Sequence, residues 1–200
     1  MSYVIAVSGG IGAGKTALVT ALSERLGDAT VVYMDHYQRF TDLSIEAVRD
    51  WVRAGADPNT LDIPDLASHI QQLKQGNPVQ DSVTGCIQQP AKYILVETQF
   101  GRQRKDLADC IDFLIWIDVP LDIALARKIR QFIGSGDQDA GSLHPHWLGE
   151  YLDNYLSLIR ELLLAQRRSM RADADMIVDG AEALPHLISV TADEIRSRFH

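Results

Sequence analysis

Hydrophobic positions along the 200-residue chain follow two rhythms. Five short apolar runs, YVIAV at 3–7, TVVYMD at 30–35, KYILVE at 92–97, DFLIWID at 112–118 and DMIVD at 175–179, are rich in β-branched and aromatic residues. Their hydrophobicity is continuous rather than alternating, which marks strands buried on both faces, as in a parallel sheet. Between them apolar residues recur with helical spacing and predict helices over 15–25, 44–54, 64–75, 120–133, 146–170 and 181–198, with Pro64 and Pro120 where a helix accepts proline. In the longest, Leu148, Tyr151, Leu152, Tyr155, Leu156, Ile159, Leu162 and Leu163 keep i, i+3, i+4 spacing and are expected to face the core. Five strands with crossover helices predict a three-layer α/β/α domain around a five-stranded parallel sheet over residues 1–200. Ligands of such sheets sit at the carboxyl ends of the strands.

Composition narrows this picture. At 46% hydrophobic and 23% charged residues, the chain is expected to be one globular domain with a full core. Strand-like residues begin at Tyr3 and no apolar run approaches a membrane span, so a soluble cytoplasmic protein without a membrane partner is expected. A formal net charge of −8 argues against nucleic acid as a partner, since that needs a basic stripe. Cys86 and Cys110 lie far apart, outside any CxxC or zinc spacing, and read as free, buried or half-buried thiols. His144 and His146 flank Pro145 with no third ligand nearby and read as surface. There is no internal repeat or low-complexity tract.

Candidate chemistry begins at the end of the first strand. The loop of Gly9, Gly10, Ile11, Gly12, Ala13, Gly14, Lys15, Thr16 and Ala17 fits GxxxxGK[ST] at Gly9, Gly14, Lys15 and Thr16, between a strand and a helix. That is the phosphate-binding P-loop: backbone N–H groups and the helix N-terminus face the phosphates, Lys15 reaches the β- and γ-phosphates, and Thr16 ligates Mg²⁺. Asp35 and Glu97 close the second and third runs and so arrive at the same sheet edge. A carboxylate there serves as a Mg²⁺ ligand or as a base toward an acceptor hydroxyl. Asp118 and Asp179 also end strands, but Pro120 and Gly180 follow, and capping or turn duties account for them. Arg127 and Arg130, three apart on one helix ahead of the polar stretch 134–142, predict a lid over about 127–147 that neutralises the transferring phosphoryl group and excludes water. For Arg167, Arg168 and Arg171 near a helix end, the helix dipole suffices.

Taken together, these segments resemble the uridine kinase and phosphoribulokinase family of P-loop kinases. IAVSGGIGAGKTAL is similar to its phosphate loop, MDHYQR to its Asp-x-Phe/Tyr segment, and ADPNTLDIPDLASHIQQLKQGNPV to its acceptor-side helix, while ILVE, IDVPLDIALARKIRQF and RADADMIVDG continue the likeness in order. The resemblance implies a nucleoside/nucleotide kinase-like P-loop NTPase fold with a helical lid and an acceptor-side helical segment over about 38–90. It implies ATP as donor with Mg²⁺, Asp35 as base and Mg²⁺ neighbour, Glu97 as a Mg²⁺-shell carboxylate and Asp57 as an acceptor-hydroxyl ligand. Tyr37 and Arg102 complete the candidate acceptor contacts, and Arg127 and Arg130 serve in the lid.

The sequence departs from that family at Gln38, where a second aromatic is usual, at Thr98, where glycine is common, and across VQDSVTGCIQQPAKY, which replaces the base-reading stretch of uridine kinases. Gln99, Phe100, Arg102 and Arg104 lie just past Glu97, and either arginine would grip an anionic acceptor or be solvated. The expected activity is ATP-dependent transfer of a γ-phosphate to a hydroxyl of a small metabolite, such as a nucleoside or sugar-like alcohol. The alternative is a catalytically silent ATP-binding regulator. A GTPase is disfavoured because the chain has no Asn-Lys pair for guanine. Oligomeric state is left open.

Overall fold

The five continuous apolar runs become the five strands of one sheet. In the computed structural model, which describes residues 1–38, 44–134 and 145–200, β1 (Tyr3–Gly9), β2 (Ala29–Tyr33), β5 (Tyr93–Thr98), β6 (Phe113–Asp118) and β7 (Met176–Asp179) lie parallel in the order β2-β5-β1-β6-β7. β1 runs through the middle, and Val4 to Val7 are fully buried there. Alternate residues feed two cores: Val4 and Ala6 pack with Ile94, Val96, Leu114 and Trp116 on one face, and Ile5 and Val7 with Leu95, Phe113 and Ile115 on the other.

Helices cover both faces. α1 (Lys15–Leu26), α5 (Leu121–Gly134) and α8 (Leu184–Arg198) bury Leu18, Leu22, Ala124, Leu187 and Ile195 against the second face. The first face takes Ile70 and Leu73 of α3 (Leu66–Lys74) and Met170 of α7 (Arg160–Asp173). α2 (Ile45–Arg53) packs Trp51 against the same core, and the short α4 (Lys105–Ala108) buries Leu107 in it. The three-layer α/β/α fold expected from the sequence is therefore the one observed.

The longest helix departs from its expected face. α6 (Pro145–Asn154) joins α7 through a π-helical turn, Tyr155–Ile159, and the extra residue per turn rotates the apolar stripe. Tyr155, Leu158 and Leu163 are buried, whereas Leu156, expected in the core, is 69% exposed. The second run is also shorter than expected: β2 stops at Tyr33 and Met34–His36 form a 3₁₀ turn that carries Asp35. A small hairpin of β3 (Val79–Gln80) and β4 (Ile87–Gln88) was not expected, being too short to show a period. Both cysteines are free thiols, Cys110 buried and Cys86 exposed rather than half-buried. Among the described residues no helix is long and apolar enough to cross a membrane.

Candidate active site

The phosphate loop is shaped by its own backbone. β1 ends at Gly9 and α1 starts at Lys15, with Ala13 N–H donating to the Gly10 carbonyl at 3.1 Å to close the turn. Gly14 enters α1 at φ +94°, and no side chain caps the helix, so its first-turn N–H groups remain donors for an anion. Gly12 is at φ +78°, and a Cβ there would stand 2.2 Å from the Ala124 carbonyl oxygen of α5. Only glycine lets α5 approach this closely.

Lys15 lies buried in the loop, its Nζ donating to the carbonyls of Gly9 at 3.1 Å and Gly10 at 3.3 Å. Burial lowers its pKa, the charges of Glu97 and Asp35 pull it back up, and Lys128 adds to the depression. Both strand-end carboxylates thus act on one ammonium group. Strand register explains the convergence: Glu97 pairs with Val7 of β1 and Tyr33 of β2, and Asp35 follows Tyr33 by two residues. The Thr16 hydroxyl donates to Glu97 Oε1 at 3.1 Å. Burial raises the Glu97 pKa and the Asp35 charge adds to that, while Lys15 and the Thr16 hydrogen bond oppose it. Asp35 is exposed, and its Oδ1 accepts from Gln38 Nε2 at 2.7 Å.

A cavity of about 1080 Å³ opens from Gly9 and Ile11 of the loop. One wall is the apolar face of α2, Ile45, Val48 and Trp51, a helix started by Ser44, whose hydroxyl accepts from Ala47 N–H. Ile159, Leu162 and Leu163 line it from the end of the π turn and the helix that follows, together with Tyr151 and Phe100. Part of the stripe expected in the core therefore faces this cavity instead. Gln38, Asp57, Gln99, Gln103, Gln166 and Ser169 supply its polar groups.

Lys15, Thr16, Asp35 and Glu97 come together as the sequence implied; several other candidates do not. Tyr37 is buried behind the site, its hydroxyl on His69 Nδ1, and it is Gln38 that reaches the cavity. Asp57 does line the cavity, but its Oδ1 accepts from Asn59 N–H and Nδ2 at 2.9 and 2.7 Å, bonds that lower its pKa. Arg102 is outside the lining: it pairs with Asp175 at 2.6 Å and donates to the Asp173 carbonyl. Arg104 is buried, bound to Asp106 and to the carbonyls of Pro58 and Leu61. Thr98, where the resembled family favours glycine, accepts from Phe100 and Gly101 N–H and ties the turn after β5.

Arg127 and Arg130 also need correction as phosphate-facing cations. Ala124 fixes the face of α5 that lies on Gly12, and a residue four positions on stands only about 40° away, against about 60° for three and about 120° for six. Lys128 is therefore the α5 cation on that face: it lines a small cavity with Ile11 and Ala124, and its charge acts on Lys15. Arg127 donates instead to the Gly180 carbonyl at 2.8 Å, and Arg130 is exposed. The sequence signal for Lys128 is the i, i+4 step from a small residue, legible only once Gly12 and Ala124 are known to touch. Arg167 clamps Asp118 with two bonds of 2.6 and 2.9 Å, a partner the dipole reading did not supply. Residues 135–144, the centre of the expected lid with His144, lie outside the described residues, as do 39–43 of the acceptor-side segment.

The β3–β4 hairpin supports the turn that carries Asp35. His36 Nδ1 bonds Asp81 Oδ2 at 2.7 Å, and Asp81 Oδ1 accepts from Val83 N–H, Thr84 N–H and the Thr84 hydroxyl. Burial pushes the Asp81 carboxyl up, but these hydrogen bonds outweigh it and hold the pKa at about 2, below its ordinary 3.8. A carboxyl depressed on folding adds stability that is complete above its unfolded pKa and is lost as pH falls through the folded one. Asp81→Ala is expected to cost about 2 kcal/mol at pH 7 in urea denaturation, and the gap from the natural protein should close between pH 4 and pH 2.

Comparison with known proteins bears on this site. The family model described as Phosphoribulokinase / Uridine kinase family matches residues 4–136. The uridine kinase of Shewanella frigidimarina is 26% identical over 193 residues, covering 88% of this chain and 86% of that protein. The uridine kinase of Clostridium tetani is 21% identical over 186 residues, covering 88% and 85%. The shikimate kinase of Acinetobacter baumannii, solved in complex with shikimate, is similar in fold, with a TM-score of 0.53 at 16% identity, covering 99% of this chain and 95% of that one.

Proposed function

The chain belongs to the phosphoribulokinase / uridine kinase family, and on that premise we propose how its residues divide the work of an ATP-dependent small-molecule kinase. ATP is the phosphate donor and a hydroxyl of a small metabolite the acceptor. Asp35 takes the proton of that hydroxyl, the freed oxygen attacks the γ-phosphorus, and the bond from that phosphorus to the β–γ bridging oxygen breaks to release ADP. Lys15 and the loop amides of residues 9–17 hold the β- and γ-phosphates, and Lys128 adds positive charge above them. Arg127 and Arg130 stay at the margin of a lid reaching from about 127 to 147. We read residues 1–200 as one kinase domain.

The observation that carries this reading is the meeting of Lys15, held on the Gly9 carbonyl, with Thr16 bonded to Glu97 and with the Asp35 turn after β2, where the cavity opens at Gly9. Phosphoryl transfer asks of a protein chiefly position and charge, and this arrangement supplies both. No observation favours a silent regulator. Cytoplasmic location goes with use of ATP, an intracellular nucleotide.

A divalent ion also fits. Thr16, Glu97 and Asp35 offer oxygen atoms only, the donor type Mg²⁺ takes. Among the described residues no three His, Cys, Asp or Glu side chains form a metal-holding group. Thr16 and Glu97 would therefore hold Mg²⁺ with the remaining positions left to phosphate and water, and the ion supplies neutralisation of the phosphate oxygens. Chelation with excess EDTA should lower turnover at least about 100-fold, and added Mg²⁺ should restore it. Full turnover in EDTA would contradict the Mg²⁺ assignment.

A further inference from the structure

We propose that the acceptor is an uncharged alcohol with an apolar ring or chain, seated between α2 and the α6–α7 helix with its reacting hydroxyl toward Asp35. This rests on the kinase reading above and goes further, because it names what the cavity selects. Three features carry it.

The first is charge. Among the described residues, the cavity lining contains no Lys, Arg or His. Arg102 and Arg104, the nearest cations beyond Glu97 in sequence, are committed to Asp175 and Asp106. With Lys15 and Lys128 given to the phosphates of ATP, a phosphate or carboxylate entering here would leave water without a countercharge from the described lining, and Asp57, the carboxylate among those residues, would repel it. Anionic acceptors are disfavoured on both counts.

The second feature is the wall. Val48 and Trp51 of α2, Ile159 and Leu162 of the α6–α7 helix, and Phe100 give the lining much of its apolar surface. A hydrophobic body gains by leaving water for such a surface, whereas a polar heterocycle set against it would give up hydrogen bonds to water there.

The third is Gln38. Its Nε2 is spent on Asp35, and its Oε1 is buried with no donor among the described residues. A buried acceptor without a donor is costly unless a ligand supplies one. Gln38 lines the cavity next to the base, so a second, non-reacting O–H of the acceptor satisfies it and turns the substrate toward Asp35. Gln38 is a positioning residue in this scheme: it orients both the carboxylate and the alcohol.

The test uses the full chain with γ-labelled ATP and three acceptor pools. The first holds 1-phenylethane-1,2-diol, cyclohexane-1,2-dimethanol and octane-1,2-diol; the second shikimate, glycerate and glycerol 3-phosphate; the third uridine and cytidine. The expected result is transfer into the first pool with a kcat/KM at least about tenfold above either of the others. Preference for the anionic or the nucleoside pool overturns the acceptor class and leaves the kinase reading intact. Labelled product from no pool, with ATP still bound, overturns the kinase reading and this inference with it.

Two variants locate the effect. Gln38→Leu should raise KM for the favoured alcohol about tenfold while KM for ATP stays within about twofold. An unchanged alcohol KM overturns the role of Gln38. Ile45→Arg adds a cation at the cavity mouth on a partly exposed first turn of α2, where folding tolerates it. It should raise the ratio of anionic to uncharged transfer about tenfold, and an unmoved ratio places the acceptor elsewhere.

Discussion

Lys15→Ala should reduce kcat/KM for phosphoryl transfer by about 10³-fold, among the largest losses expected of any single change in this protein. The ammonium group is buried, held by two loop carbonyls, and set within the fields of Glu97 and Asp35. Removing it takes a fixed positive charge from the place where charge gathers on the transferring phosphoryl group. The amides of residues 9–14 and the uncapped start of α1 remain, so ATP affinity should fall by much less, about 10- to 100-fold, the worth of one charge-assisted hydrogen-bonding group. Lys15→Arg should not restore the rate, since a planar guanidinium does not fit between the Gly9 and Gly10 carbonyls as a compact ammonium does. Titration calorimetry with ATP, set beside a transfer assay, separates the two effects. A fully active Lys15→Ala protein would refute the role given to this loop.

Asp35→Asn should be comparably damaging to the chemical step, about 10³-fold in kcat, with ATP affinity changed only a few-fold. Asparagine keeps the size of the side chain and an oxygen for Gln38 Nε2, so the 3₁₀ turn after β2 should hold its shape. What it lacks is a site for the acceptor proton. Asp35 is exposed and bonded to Gln38, which lines the cavity, so its loss should not unsettle the core. If the variant lost ATP affinity in proportion to its turnover, Asp35 would be a metal or structural residue instead of the base.

The contrast between the two halves of the site shows what a sequence can tell. The phosphate loop was legible because its residues are contiguous and its conformation demands glycine at fixed places, Gly12 against Ala124 above all. Asp35 and Glu97 were legible because buried strands show their own ends, and strand ends point to the site. The acceptor half was not. Whether Arg102 is free to hold a substrate depends on Asp175, far along the chain, and Arg104 on carbonyls of a turn more than forty residues before it. Nothing local to Arg102 reports that it is spent, and for Arg104 the only local sign is Asp106 two residues on. The π turn at Tyr155–Ile159 has no periodic signature, so the stripe that follows it could not be assigned to core or cavity before its rotation was known. Lys128 was hidden for a related reason: the face of α5 is set by one contact with the loop, not by the spacing of its cations.

Transfer itself is the most direct measurement. ATP labelled at the γ-phosphate, incubated with Mg²⁺, the full chain and a mixture of small hydroxyl-bearing metabolites, should yield an acid-stable labelled phosphomonoester with the natural protein and almost none with Asp35→Asn. Label recovered only as inorganic phosphate or still in ATP, alike for both proteins, would show that the carboxylate after β2 does not drive phosphate onto an alcohol.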